Sequence, residues 1–146
     1  MRKLPRQLST DELAELFEGR TRFVERLALE QEPLVRARTL VHELPHDEKV
    51  EILAAHPAIG RRGGLSKRSA AEQGTDDDPA VLAELARLNA EYEARHGFRF
   101  VVFVNRRRKP EILAVLKSRL ANPTEQELET ALSELVAIAE DRWLRR

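Results

Sequence analysis

Apolar residues recur at three- and four-residue spacing along most of the chain, the period of helices with one buried face. Leu13, Leu16 and Phe17 mark the first such face; Ser9 and Glu12 ahead of it have capping-box spacing, and Gly19 closes it. Phe23, Leu27 and Ala28 predict a second helix from about Arg20. Pro33 opens a third through Leu34, Ala37, Leu40, Val41 and Leu44, with His42 and His46 at its surface or just past it. Pro45 and Asp47 start a fourth, in which Val50, Leu53 and Ala54 are expected to face inward and which Pro57 stops at His56. Residues 57–65 hold three glycines and one proline and predict an irregular turn. Ser66 or Ser69 then caps a short fifth helix carrying Glu72 and Gln73, closed by Gly74.

Asp78 and Pro79 predict the start of a sixth helix with Val81, Leu85, Leu88 and Tyr92 on one stripe, ending at His96 and Gly97. A seventh runs from Pro110 through Ile112, Leu113, Leu116 and Leu120 to Asn122-Pro123. Thr124 to Glu127 has the form of a second capping box, and the last helix follows with Leu128, Leu132, Leu135, Ala139 and Arg142. The expectation is an all-α fold, a single-domain compact bundle of about eight helices over residues 1–146. One stretch breaks the period. Phe98 to Val104 is aromatic and β-branched, yet no second strand is available to pair with it. It is either a lone extended segment through a helical core or the buried start of another helix. If extended, its N–H and C=O groups need partners, some of which a polar planar ligand such as a ureide or purine derivative would supply.

Composition narrows the function classes. Lys plus Arg and Asp plus Glu number 25 each, so the chain lacks the basic excess of a general polyanion binder. Arg61-Arg62 and Arg106 to Lys109 are the basic clusters, expected in solvated loops. There is no cysteine, which excludes disulfides and thiolate chemistry and fits a reducing compartment. No signal-peptide pattern and no apolar run of spanning length occurs, so a soluble cytoplasmic protein without nucleic-acid or membrane partners is expected. Asp76 to Asp78 read as a helix start, since the glycine and glutamate of a calcium loop are missing; no metal site is expected.

Two side chains carry candidate chemistry. His56 precedes proline, so its backbone is driven toward extended geometry and its imidazole off the helical surface. There it titrates near neutrality and serves as a general acid or base, or it is simply a cation suited to a helix C-terminus. Arg142 falls within about 40° of the apolar stripe of the last helix. It meets a buried carboxylate or anionic ligand, or it snorkels to water.

Ala-His-Pro-Ala-Ile-Gly at 55–60, Ser-Ala-Ala-Glu-Gln at 69–73 and Leu-Asn-Ala-Glu-Tyr-Glu-Ala-Arg-His-Gly-Phe at 88–98 occur in this order, after Leu-Phe-Glu-Gly-Arg-Thr-Arg-Phe-Val at 16–24 and before the Phe-Val-Val segment. Together they resemble the 2-oxo-4-hydroxy-4-carboxy-5-ureidoimidazoline (OHCU) decarboxylase family of urate catabolism. The resemblance implies an all-α fold, cofactor-free decarboxylation of a small ureidoimidazoline to (S)-allantoin, and a homodimer. It implies His56 as proton donor, Glu72 as catalytic carboxylate and Arg142 as the C-terminal arginine. Pro57, Ser69, Glu72, Gln73 and the backbone of Phe100, Val101, Val102, Phe103 and Val104 are implied as substrate-binding. The chain departs from many relatives in a shorter stretch after His-Pro, in Ala58 where they carry aspartate, and in Phe103 where they often carry a smaller residue. The competing readings are a decarboxylase of another ureide-like substrate, a non-enzymatic helical interaction module, and a helix-turn-helix nucleic-acid binder using Arg106 to Lys109.

Overall fold

Seven helices organise the residues described by the structure, a computed structural model in which these are 3–59 and 78–145. They are α1 (Thr10–Phe17), α2 (Arg22–Leu27), α3 (Pro33–Glu43), α4 (His46–Ala54), α5 (Pro79–His96), α6 (Lys109–Leu120) and α7 (Thr124–Leu144). The expected short helix with Ser69, Glu72 and Gln73, and the glycine turn before it from Gly60 onward, lie outside the described residues.

Local chemistry sets several boundaries. The first capping box forms: Ser9 Oγ accepts from Glu12 N–H at 3.1 Å and Glu12 Oε1 accepts from Ser9 N–H at 3.1 Å. α2 begins two residues later than expected, because Thr21 Oγ1 caps it by accepting from Val24 N–H at 3.3 Å. Asp78 Oδ1 accepts from Ala80 N–H at 3.0 Å, with Pro79 in the first turn of α5. α1 stops one residue before its glycine: Glu18 takes the left-handed cap conformation at φ 64°.

α7 is the central post. It packs against α1, α3, α4 and α5, and α5 packs along α6. Leu128, Ala131, Leu132, Leu135, Val136 and Ala139 are buried along it, each large side chain contributing about 2 kcal/mol of apolar burial. On α4 the inward face is Glu48, Ile52 and Leu53; Ala54 is exposed, against expectation, and Val50 only partly buried. Glu48 turns inward because Arg26 meets it at 3.1 Å.

Phe98 to Val104 is extended rather than helical, and among the described residues it pairs with no strand. Phe98 and Phe100 pack edge-on against Tyr92, with ring centroids 5.9 and 5.2 Å away. Its backbone is held by side chains. Arg119 Nη1 donates to Val101 O at 2.9 Å, Arg107 Nη2 to Phe103 O at 2.6 Å and Nε to Val104 O at 3.1 Å. Phe103 N–H donates to Glu134 Oε1 at 3.3 Å. The basic cluster is therefore not all solvated loop: Arg107 is half-buried on these carbonyls and Lys109 is buried.

The second capping box does not form. Pro123 occupies the N-cap of α7, Thr124 lies inside the helix with its Oγ1 2.8 Å from His96 Nδ1, and Glu127 points into the core at 0% exposure. There Glu127 accepts from Tyr92 Oη at 2.6 Å, Arg119 Nε at 2.8 Å and Asn122 Nδ2 at 2.8 Å. Three interior donors, one of them cationic, outweigh a single exposed bond to a cap amide. Arg119 in turn lies 4.6 Å over the Phe100 ring, so this buried network fixes the position of the extended segment.

Candidate active site

The C-terminus of α4 delivers His56. Its N–H donates to Leu53 O at 3.2 Å, and the following proline, lacking an N–H, prevents another helical turn. The side chain is 4% exposed and its Nε2 has no hydrogen-bond partner among the described residues. Burial pushes the imidazole pKa down, the charge of Arg142 pushes the same way, Glu18 opposes and Arg99 adds a smaller downward push, leaving it at about 4. The ring is thus neutral at pH 7, not titrating near neutrality as expected from sequence, and it is no cation for the α4 dipole. An unpartnered buried nitrogen costs about 1–3 kcal/mol, a cost that marks ligand and catalytic sites.

Arg142 reaches the same region from the last turns of α7. It is 3% exposed and does not snorkel to water. Nη2 meets Glu18 Oε1 at 3.1 Å, and Nη1 donates to Leu16 O at 3.1 Å and more weakly to Glu15 O at 3.4 Å. The guanidinium caps the C-terminus of α1 while its field acts on His56.

Pro57 is half-buried, and Ile59, two residues on, is tied to α5 through Asn89, whose Nδ2 donates to Ile59 O at 3.0 Å. Asn89 Oδ1 is a second buried atom without a partner among the described residues. In the extended segment Phe100, Val101, Val102 and Val104 are buried and Phe103 is partly so. The Phe100 side chain is engaged with Tyr92 and Arg119. The carbonyls of Val101 and Val104 and both backbone groups of Phe103 are taken, whereas the N–H and C=O of Phe100 and Val102 and the N–H of Val101 and Val104 meet no partner among the described residues. Ser69, Glu72 and Gln73 fall outside those residues.

Three contributors were not singled out from sequence. Asn89 carried a usable signal, a polar residue on the buried α5 face of Leu85, Leu88, Tyr92 and His96. Glu18 carried none, because the glycine after it is the expected left-handed cap. Arg99 was hidden as one charge within an aromatic run. Its Nη1 donates to His56 O at 2.5 Å and Ala54 O at 3.3 Å, and its Nε to Glu93 Oε1 at 3.1 Å. Among the described residues no three or more His, Asp or Glu side chains gather as metal ligands, and no helix is long and apolar enough to cross a membrane.

A neutral, water-shielded imidazole with one nitrogen open, a nearby buried guanidinium and an unpaired amide edge suit proton transfer on a small polar planar molecule. The chain is 31% identical over 110 residues to an OHCU decarboxylase of Haloferax volcanii, covering 73% of this chain and 66% of the relative. It is 34% identical over 110 residues to that of Amia calva, covering 70% and 63%. The matched stretches span just under two thirds of these curated relatives. A crystal structure of OHCU decarboxylase in the presence of (S)-allantoin superposes with a TM-score of 0.77 at 26% identity, over 92% of this chain and 96% of that one. An (S)-allantoin synthase structure gives 0.68 at 25% identity, over 93% and 48%. The sequence profile of the family described as OHCU decarboxylase matches residues 2–144, and the chain belongs to that family.

Proposed function

We propose that this chain decarboxylates 2-oxo-4-hydroxy-4-carboxy-5-ureidoimidazoline to (S)-allantoin in urate breakdown. The observation that carries the reading is His56 Nε2, buried and without a partner among the described residues, on a ring held neutral by burial and by the charge of Arg142. A neutral imidazole accepts the substrate hydroxyl proton. The carbon–carboxylate bond breaks, CO2 leaves, and the electron pair passes into the ring. The imidazole then delivers that proton to one face of the ring carbon and ends as it began, while the ring nitrogen that received the electron pair takes one proton from solvent, the net uptake per CO2 released. Arg142 stabilises charge as it moves into the ring, without gripping the departing carboxylate, since equal binding of ground and transition states brings no acceleration. Its link to Glu18 suits that role by restraining the guanidinium.

The N–H and C=O of Val102, flanked by Phe100, Val101, Phe103 and Val104, pair with the ureido edge, and Pro57 shapes the turn above it. Ser69, Glu72 and Gln73 are assigned to substrate binding by the family resemblance, with Glu72 orienting ureido or ring N–H groups. We also infer a homodimer and a cytoplasmic location; the first rests on the family, the second on a cysteine-free composition.

The test is a coupled assay in which urate and a uricase, followed by the hydrolase for the primary product, supply fresh substrate while optical rotation follows allantoin. Wild-type protein is expected to give the (S) enantiomer faster than the spontaneous racemic background, and His56→Gln to return the reaction to background. Racemic allantoin at the background rate with the wild type sinks the proposal.

A further inference from the structure

A helix ending in proline leaves a problem at its carbonyl end. The last carbonyls of α4 have no helical N–H to accept from, and Pro57 has none to offer. Arg99 supplies the donors from 43 residues away in sequence, with Nη1 on both His56 O and Ala54 O. Its Nε is anchored on Glu93 near the end of α5, so the guanidinium is held from two sides. Arg99 itself belongs to the extended segment, immediately before Phe100. A planar guanidinium holds such a multidentate arrangement in one geometry, which a flexible ammonium does not.

We propose that Arg99 is a positioning residue for the reaction, riveting the backbone of His56 to the segment that lines the substrate's other side and so fixing the distance from imidazole to substrate. It acts through His56 and touches no reacting atom. The proposal rests on the proton-transfer role of His56 given above. Small displacements at that distance are costly, because proton transfer needs heavy atoms within hydrogen-bond reach. The charge of Arg99 also bears on the ring: among the described residues the ionised groups acting on His56 are Arg142 from α7, Glu18 from the end of α1, and Arg99.

The experiment compares Arg99→Gln and Arg99→Lys with the wild type in the optical-rotation assay, alongside NMR titration of the His56 imidazole and circular dichroism. Arg99→Gln is expected to lower kcat at least tenfold with KM changed less than threefold, and to shift the His56 titration upward as a cation is removed. Arg99→Lys is expected to recover part of kcat and keep the titration near its wild-type position. A merely structural arginine would lower thermal stability and leave kcat per folded molecule unmoved; that result in Arg99→Gln overturns the proposal whatever the titration does, because loss of the charge shifts His56 in either case. Should Arg99→Gln not fold, Arg99→Lys decides: a threefold or larger loss in kcat at unchanged KM supports it, and wild-type kcat overturns it. An inactive wild type would instead remove the functional reading on which the proposal rests.

Discussion

Arg142 and Glu18, 124 residues apart in sequence, meet in the core with Nη2 3.1 Å from Oε1. Glu18 holds this position from a left-handed backbone conformation that costs a non-glycine residue about 1 kcal/mol. The strained cap aims a carboxylate at a guanidinium that is 3% exposed, and the pair brackets His56 electrostatically.

Removing the acid from this pair is expected to be expensive. Glu18→Ala takes the carboxylate from a buried guanidinium and should lower stability by about 3 kcal/mol, read from the urea midpoint at constant slope. It should also move the His56 pKa further down, because Glu18 acts to raise it.

The protonation of His56 sets a pH window for stability. Its pKa is about 4 in the folded chain against 6.5 for an ordinary histidine, so the unfolded chain binds the proton first as pH falls. The contribution is fully present above about pH 6.5 and is lost progressively down to about pH 4, amounting to roughly 3 kcal/mol. Unfolding free energies of wild type and His56→Gln across this window should diverge in slope, the variant falling less steeply; parallel curves would contradict a buried neutral ring.

Glu127 separates a surface cap from a buried network. An exposed capping-box residue tolerates Glu→Gln at a cost of a few tenths of a kcal/mol. A fully buried carboxylate bonded to Arg119, Tyr92 and Asn122 should lose about 3 kcal/mol on Glu127→Gln, measured by denaturant unfolding. Tyr92→Phe, which removes one donor to the same charged oxygen, should cost about 2 kcal/mol.

Asn89 ties the residues after His56 to α5. Asn89→Ala is expected to cost about 1 kcal/mol of stability, since one bond is lost to the Ile59 carbonyl. The larger effect should fall on turnover, with kcat reduced at least fivefold in the optical-rotation assay as the His-Pro turn loosens.

Most of the helices were legible in the chain because their causes are local. Spacing of Leu13, Leu16 and Phe17, the Ser9–Glu12 box and the Asp78-Pro79 start each act within a few residues, and each appears in the structure. α2 starts at Arg22 because the Thr21 hydroxyl caps it, and on α4 it is Glu48, Ile52 and Leu53 that turn inward while Ala54 is exposed. For the site, sequence supplied His56 and Arg142 as candidates but left open whether either was buried.

Residue order alone determined a helical bundle, the proline stop at His56, the foreign character of Phe98 to Val104 and the family resemblance, all written in near neighbours or motif order. Tertiary structure decided which polar groups lie out of water. Glu127 turned from cap to core, His56 became neutral and Arg99 became a clasp on its carbonyl, because desolvation and charge pairing depend on segments that only the fold brings together.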